Sequence, residues 1–168
     1  MNTWSRILHP TDFSRTSRAA FRWAIQLGRR RGAEVVIMHV VLATSAYEVE
    51  LIGWPAFGEA YQAERRRWAE RAIAELVARA RRRGVRALGV VIEGAPGREI
   101  PRRAASMRAD VIVMGTHGWR GLRRLFFGST TEAVIQRVAC PVLTIKLGQR
   151  PVPIRTSRKG DRSLRAVA

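Results

Sequence analysis

The run Glu34-Val35-Val36-Ile37-Met38-His39-Val40-Val41 is β-rich and apolar on both faces, the pattern of a strand covered by helices above and below, as in a parallel sheet. Upstream of it, Ala20, Trp23, Ala24 and Leu27 recur at helical spacing, and Gly32 ends that helix. Earlier still, Ile7-Leu8 ahead of Pro10-Thr11-Asp12 reads as a first strand and loop. Downstream, residues 42–61 hold no firm period; Tyr47, Trp54, Pro55, Phe57 and Gly58 suggest a variable loop that partly packs. Ala69, Ala72, Ile73, Leu76, Val77 and Ala80 then return to helical spacing before Gly84, and a strand follows at 87–92. A shorter helix at 96–107, a fourth strand at 110–114, a helix at 129–138 and a fifth strand at 142–146 complete the alternation. Five strands and four helices in this order predict an α/β fold, with a parallel sheet, helices on both faces and right-handed crossovers.

The length of 168 residues suits one domain with an appendage. A composition 46% hydrophobic and 26% charged is that of a packed globular chain rather than a disordered one. The domain is placed at residues 1–147. From 148 to 168, Pro151, Pro153 and scattered charges suggest a basic, flexible tail. Cys140 is the only cysteine, which excludes an intrachain disulfide framework and a multi-thiolate metal site within one chain. The first residues lack the apolar stretch of a signal peptide and no run approaches a membrane span, so a soluble, cytoplasmic protein with no membrane partner is expected.

The net charge is +18, and of 31 Lys and Arg residues only Lys146 and Lys159 are lysines. Guanidinium groups match phosphate in a bidentate fork, so the composition permits nucleotide, nucleic-acid or anionic-membrane contacts without demanding any of them. The punctuation Arg29-Arg30-Arg31-Gly32 recurs as Arg81-Arg82-Arg83-Gly84. Cations complement the dipole of a last helical turn and Gly caps it, which accounts for the pattern structurally; a nucleic-acid patch is the rival reading, unsupported by any groove-reading or RNA-binding motif.

The segment that carries chemistry begins at Gly115-Thr116-His117-Gly118, after the fourth strand, and ends at Gly128-Ser129-Thr130-Thr131-Glu132, where a helix opens. Glycines at 115 and 118 let backbone N–H groups approach an anion, and Gly128-Ser129 sets a hydroxyl and amides at a positive helix N-terminus. Arg120, Arg123 and Arg124 between the two halves add positive potential. Each part has a structural alternative: Ser129-Thr130-Thr131-Glu132 also spells a capping box, and glycines make turns. His9 and His39 lie on apolar strands and read as packed histidines, Cys140 as a small apolar residue.

Taken together, Gly115, Gly118, Gly128 and Ser129 resemble the nucleotide-binding signature of the universal stress protein family: Gly, two residues, Gly, nine residues, Gly, then Ser or Thr. Residues 7–14, His39-Val40, Gly94-Ala95-Pro96 with Ile100, and Cys140-Pro141-Val142-Leu143 are similar to further family segments, so the likeness covers about residues 3–147. It implies an open, Rossmann-like sheet of the adenine nucleotide alpha hydrolase type, in order 3-2-1-4-5. It also implies ATP as ligand, with Mg²⁺ as a candidate companion, held at the switch point between strands one and four. By resemblance Pro10, Thr11, Asp12 and Val40 surround adenine and ribose, with Met114 nearby. Gly115, Thr116, His117, Gly118, Gly128, Ser129 and Thr130 would hold the phosphates. Trp119 departs from the small or basic residue expected after the second glycine. The implied role is a nucleotide-dependent stress or regulatory protein; a slow ATPase is the enzymatic alternative, with only His117 and Asp12 as candidates to position water. The same order leaves Val142-Leu143-Thr144-Ile145 on a sheet edge without a blunting charge or proline inside it, which predicts a homodimer through the fifth strand.

Overall fold

The computed structural model describes residues 4–42, 55–116 and 128–147. Nine elements follow one another: β1 (Arg6–Pro10), α1 (Arg15–Arg31), β2 (Glu34–Val41), α2 (Pro55–Arg81), β3 (Ala87–Glu93), α3 (Pro96–Ser106), β4 (Val111–Gly115), α4 (Ser129–Arg137) and β5 (Val142–Ile145). The five strands form one sheet in order β3-β2-β1-β4-β5, every pair parallel. The anticipated 148–168 tail and the segment holding Tyr47 and Trp54 lie outside the described residues.

Burial on both sheet faces explains the unbroken apolar strands. On one face Ile7, Val35, Ile37, Val111 and Val113 pack beneath Ala20, Phe21 and Ala24 of α1 and Ile73, Leu76 and Val77 of α2. On the other, Leu8, Val36, Met38, Ile112 and Met114 meet Ile100 and Ala104 of α3 and Val134 of α4. Period-two alternation of the strand side chains divides the core in this way.

The predicted elements recur with ends shifted by a residue or two, apart from α1, which begins at Arg15, ahead of the Ala20 spacing, and α2. The latter starts at Pro55, inside the stretch expected to be a loop. Among its described side chains, from Glu59 on, the first that is fully buried is Ala69, whereas Glu59, Tyr61, Glu64 and Trp68 are exposed. Where a helix runs past the sheet that it covers, its side chains need no continuous apolar stripe, so periodicity could not reveal it. At about 1.5 Å per residue its 27 residues reach about 40 Å, against about 23 Å for the seven of β3. The early turns of α2 therefore overhang the carboxyl ends of the strands.

Candidate functional site

After β1 the chain leaves the sheet through a short hydrogen-bonded loop. The Thr11 N–H still donates to the Met38 carbonyl of β2 at 2.8 Å. Its hydroxyl then accepts from the Phe13 N–H and donates to the Ser17 hydroxyl, both at 3.0 Å. Asp12 Oδ1 accepts from the Ser14 N–H at 3.0 Å, and Ser14 Oγ caps α1 by accepting from the Ser17 N–H at 3.2 Å. Asp12 thus holds the capping residue and does not itself cap α1. Phe13 sits at φ 62°, a conformation that an L side chain adopts at a cost of about 1–3 kcal/mol. That turn sends its ring outward onto His39, 4.6 Å between centroids, and edge-on to Trp68 of α2 at 5.0 Å.

Two helix N-termini converge where β4 ends. A Cβ on Gly115 would lie 3.0 Å from the Thr16 carbonyl carbon and 3.1 Å from the Ser17 nitrogen, so glycine here lets the first turn of α1 press onto the strand end. From the other side the Gly128 N–H donates to the Thr116 carbonyl at 2.8 Å, and the Thr131 hydroxyl to the Gly115 carbonyl at 3.1 Å. Gly128 is the N-cap of α4 and supplies no side-chain cap; Ser129 is already the first helical residue and is exposed. The capping box is thus not formed, and the first turn of α4, with its free amide ends, lies at the same end of the sheet as the Asp12 loop. No carboxylate lies in the first turn of α1, while α4 carries Glu132 in its own. His117 and Gly118, with Trp119, Arg120, Arg123 and Arg124, lie outside the described residues.

A cleft of about 490 Å³ opens beside this convergence, lined by Asp12, Phe13, His39, Val41, Tyr61, Glu64, Arg65 and Trp68; that volume suits a small organic ligand. His39 Nδ1 donates to the Thr11 carbonyl at 2.8 Å, and burial lowers its pKa, so the ring is neutral near pH 7. His9 is fully buried against Phe21, its pKa lowered to about 4 by burial. Val40 and Met114 point to the α3/α4 face with Leu8 and Met38, away from this cleft, and Pro10 is buried at the end of β1. Burial raises the Cys140 thiol pKa, in keeping with an inert side chain. Among the described residues no cluster of His, Cys, Asp or Glu could hold a metal ion, and no helix is long and apolar enough to cross a membrane.

The universal stress protein family matches residues 3–146. The chain belongs to that family. Universal stress protein MJ0531 of Methanocaldococcus jannaschii is 35% identical over 146 residues, 86% of this chain and 84% of that one. The solved structure of protein MJ0577 from the same organism superposes with a TM-score of 0.76 at 27% identity, over 86% of this chain and 97% of the other. At 22% identity a universal stress protein from Archaeoglobus fulgidus, solved in complex with dAMP, shares the fold with a TM-score of 0.59 over 86% and 100% of the two chains. In this universal stress protein, the switch point is where the fold places β1 beside β4, as anticipated.

Sequence reading missed the wall of the cleft. Phe13, Tyr61, Arg65 and Trp68 come from a left-handed turn and from the overhanging part of α2, and neither leaves a pattern in the sequence. His39 had a detectable signal, a polar ring one residue out of phase with the buried Met38 and Val40, but the same signal marks any packed histidine.

Proposed function

We propose that this universal stress protein binds an adenine nucleotide, ATP in the first instance, at the switch point between β1 and β4, and that occupancy regulates its association with other molecules in the cytoplasm. The observation that carries this reading is the convergence of two helix N-termini on Gly115-Thr116, one of them without a side-chain cap. Such an end offers partial positive charge and N–H donors to an anion. Ser129 and Thr130 of α4 and the glycine-bearing 115–118 turn would hold the phosphates, with Mg²⁺ as counter-ion from solution. Asp12, Thr11 and the end of β2 would face the nucleoside, its base set toward the cleft. The adenine class is carried from the family and agrees with the dAMP complex of the A. fulgidus relative.

Slow hydrolysis has less support, because Asp12 is engaged with the Ser14 N–H rather than presented as a base. The homodimer through β5 belongs to the same proposal: β5 is an outer strand of the sheet.

Mass spectrometry of the nucleotide released on denaturing the purified protein identifies the ligand, and calorimetry with Gly118→Ala and Gly128→Val places it. A Cβ at either position obstructs backbone approach, so ATP affinity should fall at least tenfold, about 1.4 kcal/mol, while the fold persists. Unchanged affinity in both variants overturns the placement.

A further inference from the structure

The two Arg-Arg-Arg-Gly turns are neighbours in space. β2 and β3 pair along their length, so the turns that feed them, Gly32 after α1 and Gly84 after α2, lie side by side. The Arg86 guanidinium donates to the Gly32 carbonyl at 2.9 Å, and the Val35 N–H to the Arg86 carbonyl at 2.9 Å. Both glycines are left-handed, φ 64° and 74°, as helix C-caps require. The capping reading of each turn is therefore correct, but it accounts for the glycines better than for the number of arginines.

Some of the guanidinium groups have structural work. Arg81 donates to the Ala87 carbonyl at 3.0 Å, Arg86 to Gly32, and Arg31 stacks over the Trp4 ring at 5.3 Å. Arg29, Arg30, Arg82 and Arg83 are exposed and, among the described residues, no carboxylate pairs with them. The acids at this end are committed elsewhere: Glu34 to Arg6 at 3.3 Å, and Asp110 to the Ser5 and Arg6 N–H groups at 2.7 and 2.8 Å. A helix C-terminus carries only about half a negative charge. Three cations at each of two adjacent ends leave a concentrated positive surface.

We propose that this surface binds the phosphodiester backbone of a nucleic acid, without reading its sequence. Four uncommitted guanidinium groups on two adjoining turns offer bidentate forks to successive phosphates. The aromatic ring at this end, Trp4, is partly buried against the core and has Arg31 stacked over it, so it is already engaged by the protein rather than offered to a base. Among the described residues, none of the exposed large apolar side chains, Leu42, Tyr61, Trp68, Leu88, Ile135 and Leu147, belongs to either turn, so the wedge that an amphipathic membrane contact uses is lacking there. The surface lies at the amino ends of the strands, opposite the Asp12 and Gly128 loops, so a bound polyanion and a ligand at the switch point do not compete for space.

Fluorescence anisotropy of the full chain with a labelled oligouridylate, titrated between about 50 and 200 mM salt, tests this. The combined variant Arg29→Gln, Arg30→Gln, Arg82→Gln, Arg83→Gln should bind at least tenfold more weakly at low salt. Its log–log salt slope should be shallower by about 3, from about 0.7 per lost single-strand phosphate contact. A control removing the same charge from the helix flanks, Arg66→Gln, Arg71→Gln, Arg98→Gln, Arg102→Gln, should keep the wild-type slope, and thermal midpoints of both variants check folding. A wild type that does not bind at low salt, equal losses in variant and control, or a combined variant that binds as wild type does overturns the assignment. So does a variant unchanged toward RNA that is released only from vesicles containing phosphatidylserine, an outcome that would make the surface a membrane contact.

Discussion

The imidazole of His9 donates from Nδ1 to the carbonyl oxygen of Val113, 2.8 Å away, across the boundary where β1 and β4 part. Ladder pairing between these strands stops at Leu8 and Ile112, although β1 stays paired to β2 as far as Pro10 and Met38. The Thr11 N–H points to β2, so by strand alternation the N–H groups facing β4 belong to positions 8 and 10. Position 10 is proline and has none. The side chain of His9 thus meets a carbonyl that the backbone of Pro10 leaves without a donor, and the strands separate at the point where the candidate site opens.

Replacing His9 with leucine should destabilise the fold by about 1–3 kcal/mol, the cost of a buried acceptor left unmade. Burial also holds its pKa at about 4, down from 6.5. The unfolded chain therefore takes up a proton below pH 6.5 that the folded chain refuses until about pH 4. Stability is fully present above 6.5 and falls through that window, by at most about 3 kcal/mol from this group. Denaturation curves at stepped pH should show the wild type losing more stability between these limits than His9→Leu; equal pH slopes would refute the assignment.

Gly115→Ala should cost about 1–3 kcal/mol by overpacking. Its new methyl would meet backbone atoms of Thr16 and Ser17 at 3.0 and 3.1 Å, which cannot swing aside as a side chain would. Urea midpoints measure the loss. A neutral substitution would mean that α1 is free to shift away from β4.

Thr144→Pro is the clean test of the β5 homodimer. Pro141 accepts from Ile112 of β4 and Ile145 from Thr116 just past its end, so odd-numbered residues face the ladder, and the N–H of Thr144 faces the open edge. Removing it should convert dimer to monomer in sedimentation velocity while leaving the β4 ladder intact. Leu143→Pro removes a ladder donor as well and should also lower stability. A dimer indifferent to Thr144→Pro, or a monomeric wild type at micromolar concentration, sinks the edge-pairing model.

ATP affinity should be flat between about pH 7 and 9, because guanidinium groups and backbone amides do not titrate there. The lowered pKa of His39 keeps its ring neutral throughout that interval. Calorimetry at stepped pH reads this directly, and a large loss across the interval would mean that a side chain titrating between pH 7 and 9 holds the phosphates.

Local signals in the sequence determined the element order of this universal stress protein. Doubly apolar strands, glycine stops at 32 and 84 and helical spacing at 69–80 each arise from neighbours a few residues apart, and so remain visible in a single chain. The 115–129 glycine pattern marked the family, through which the strand order and the switch point were expected. Tertiary structure decided the rest, because it depends on residues distant in the chain. Whether Ser129 caps α4 turns on how Gly128 is held by Thr116. The role of His9 depends on Val113, 104 positions away. Trp68 faces Phe13 only because α2 overhangs the sheet. The twin arginine turns become one surface only because β2 pairs with β3, and no periodicity along the chain encodes which strands are neighbours.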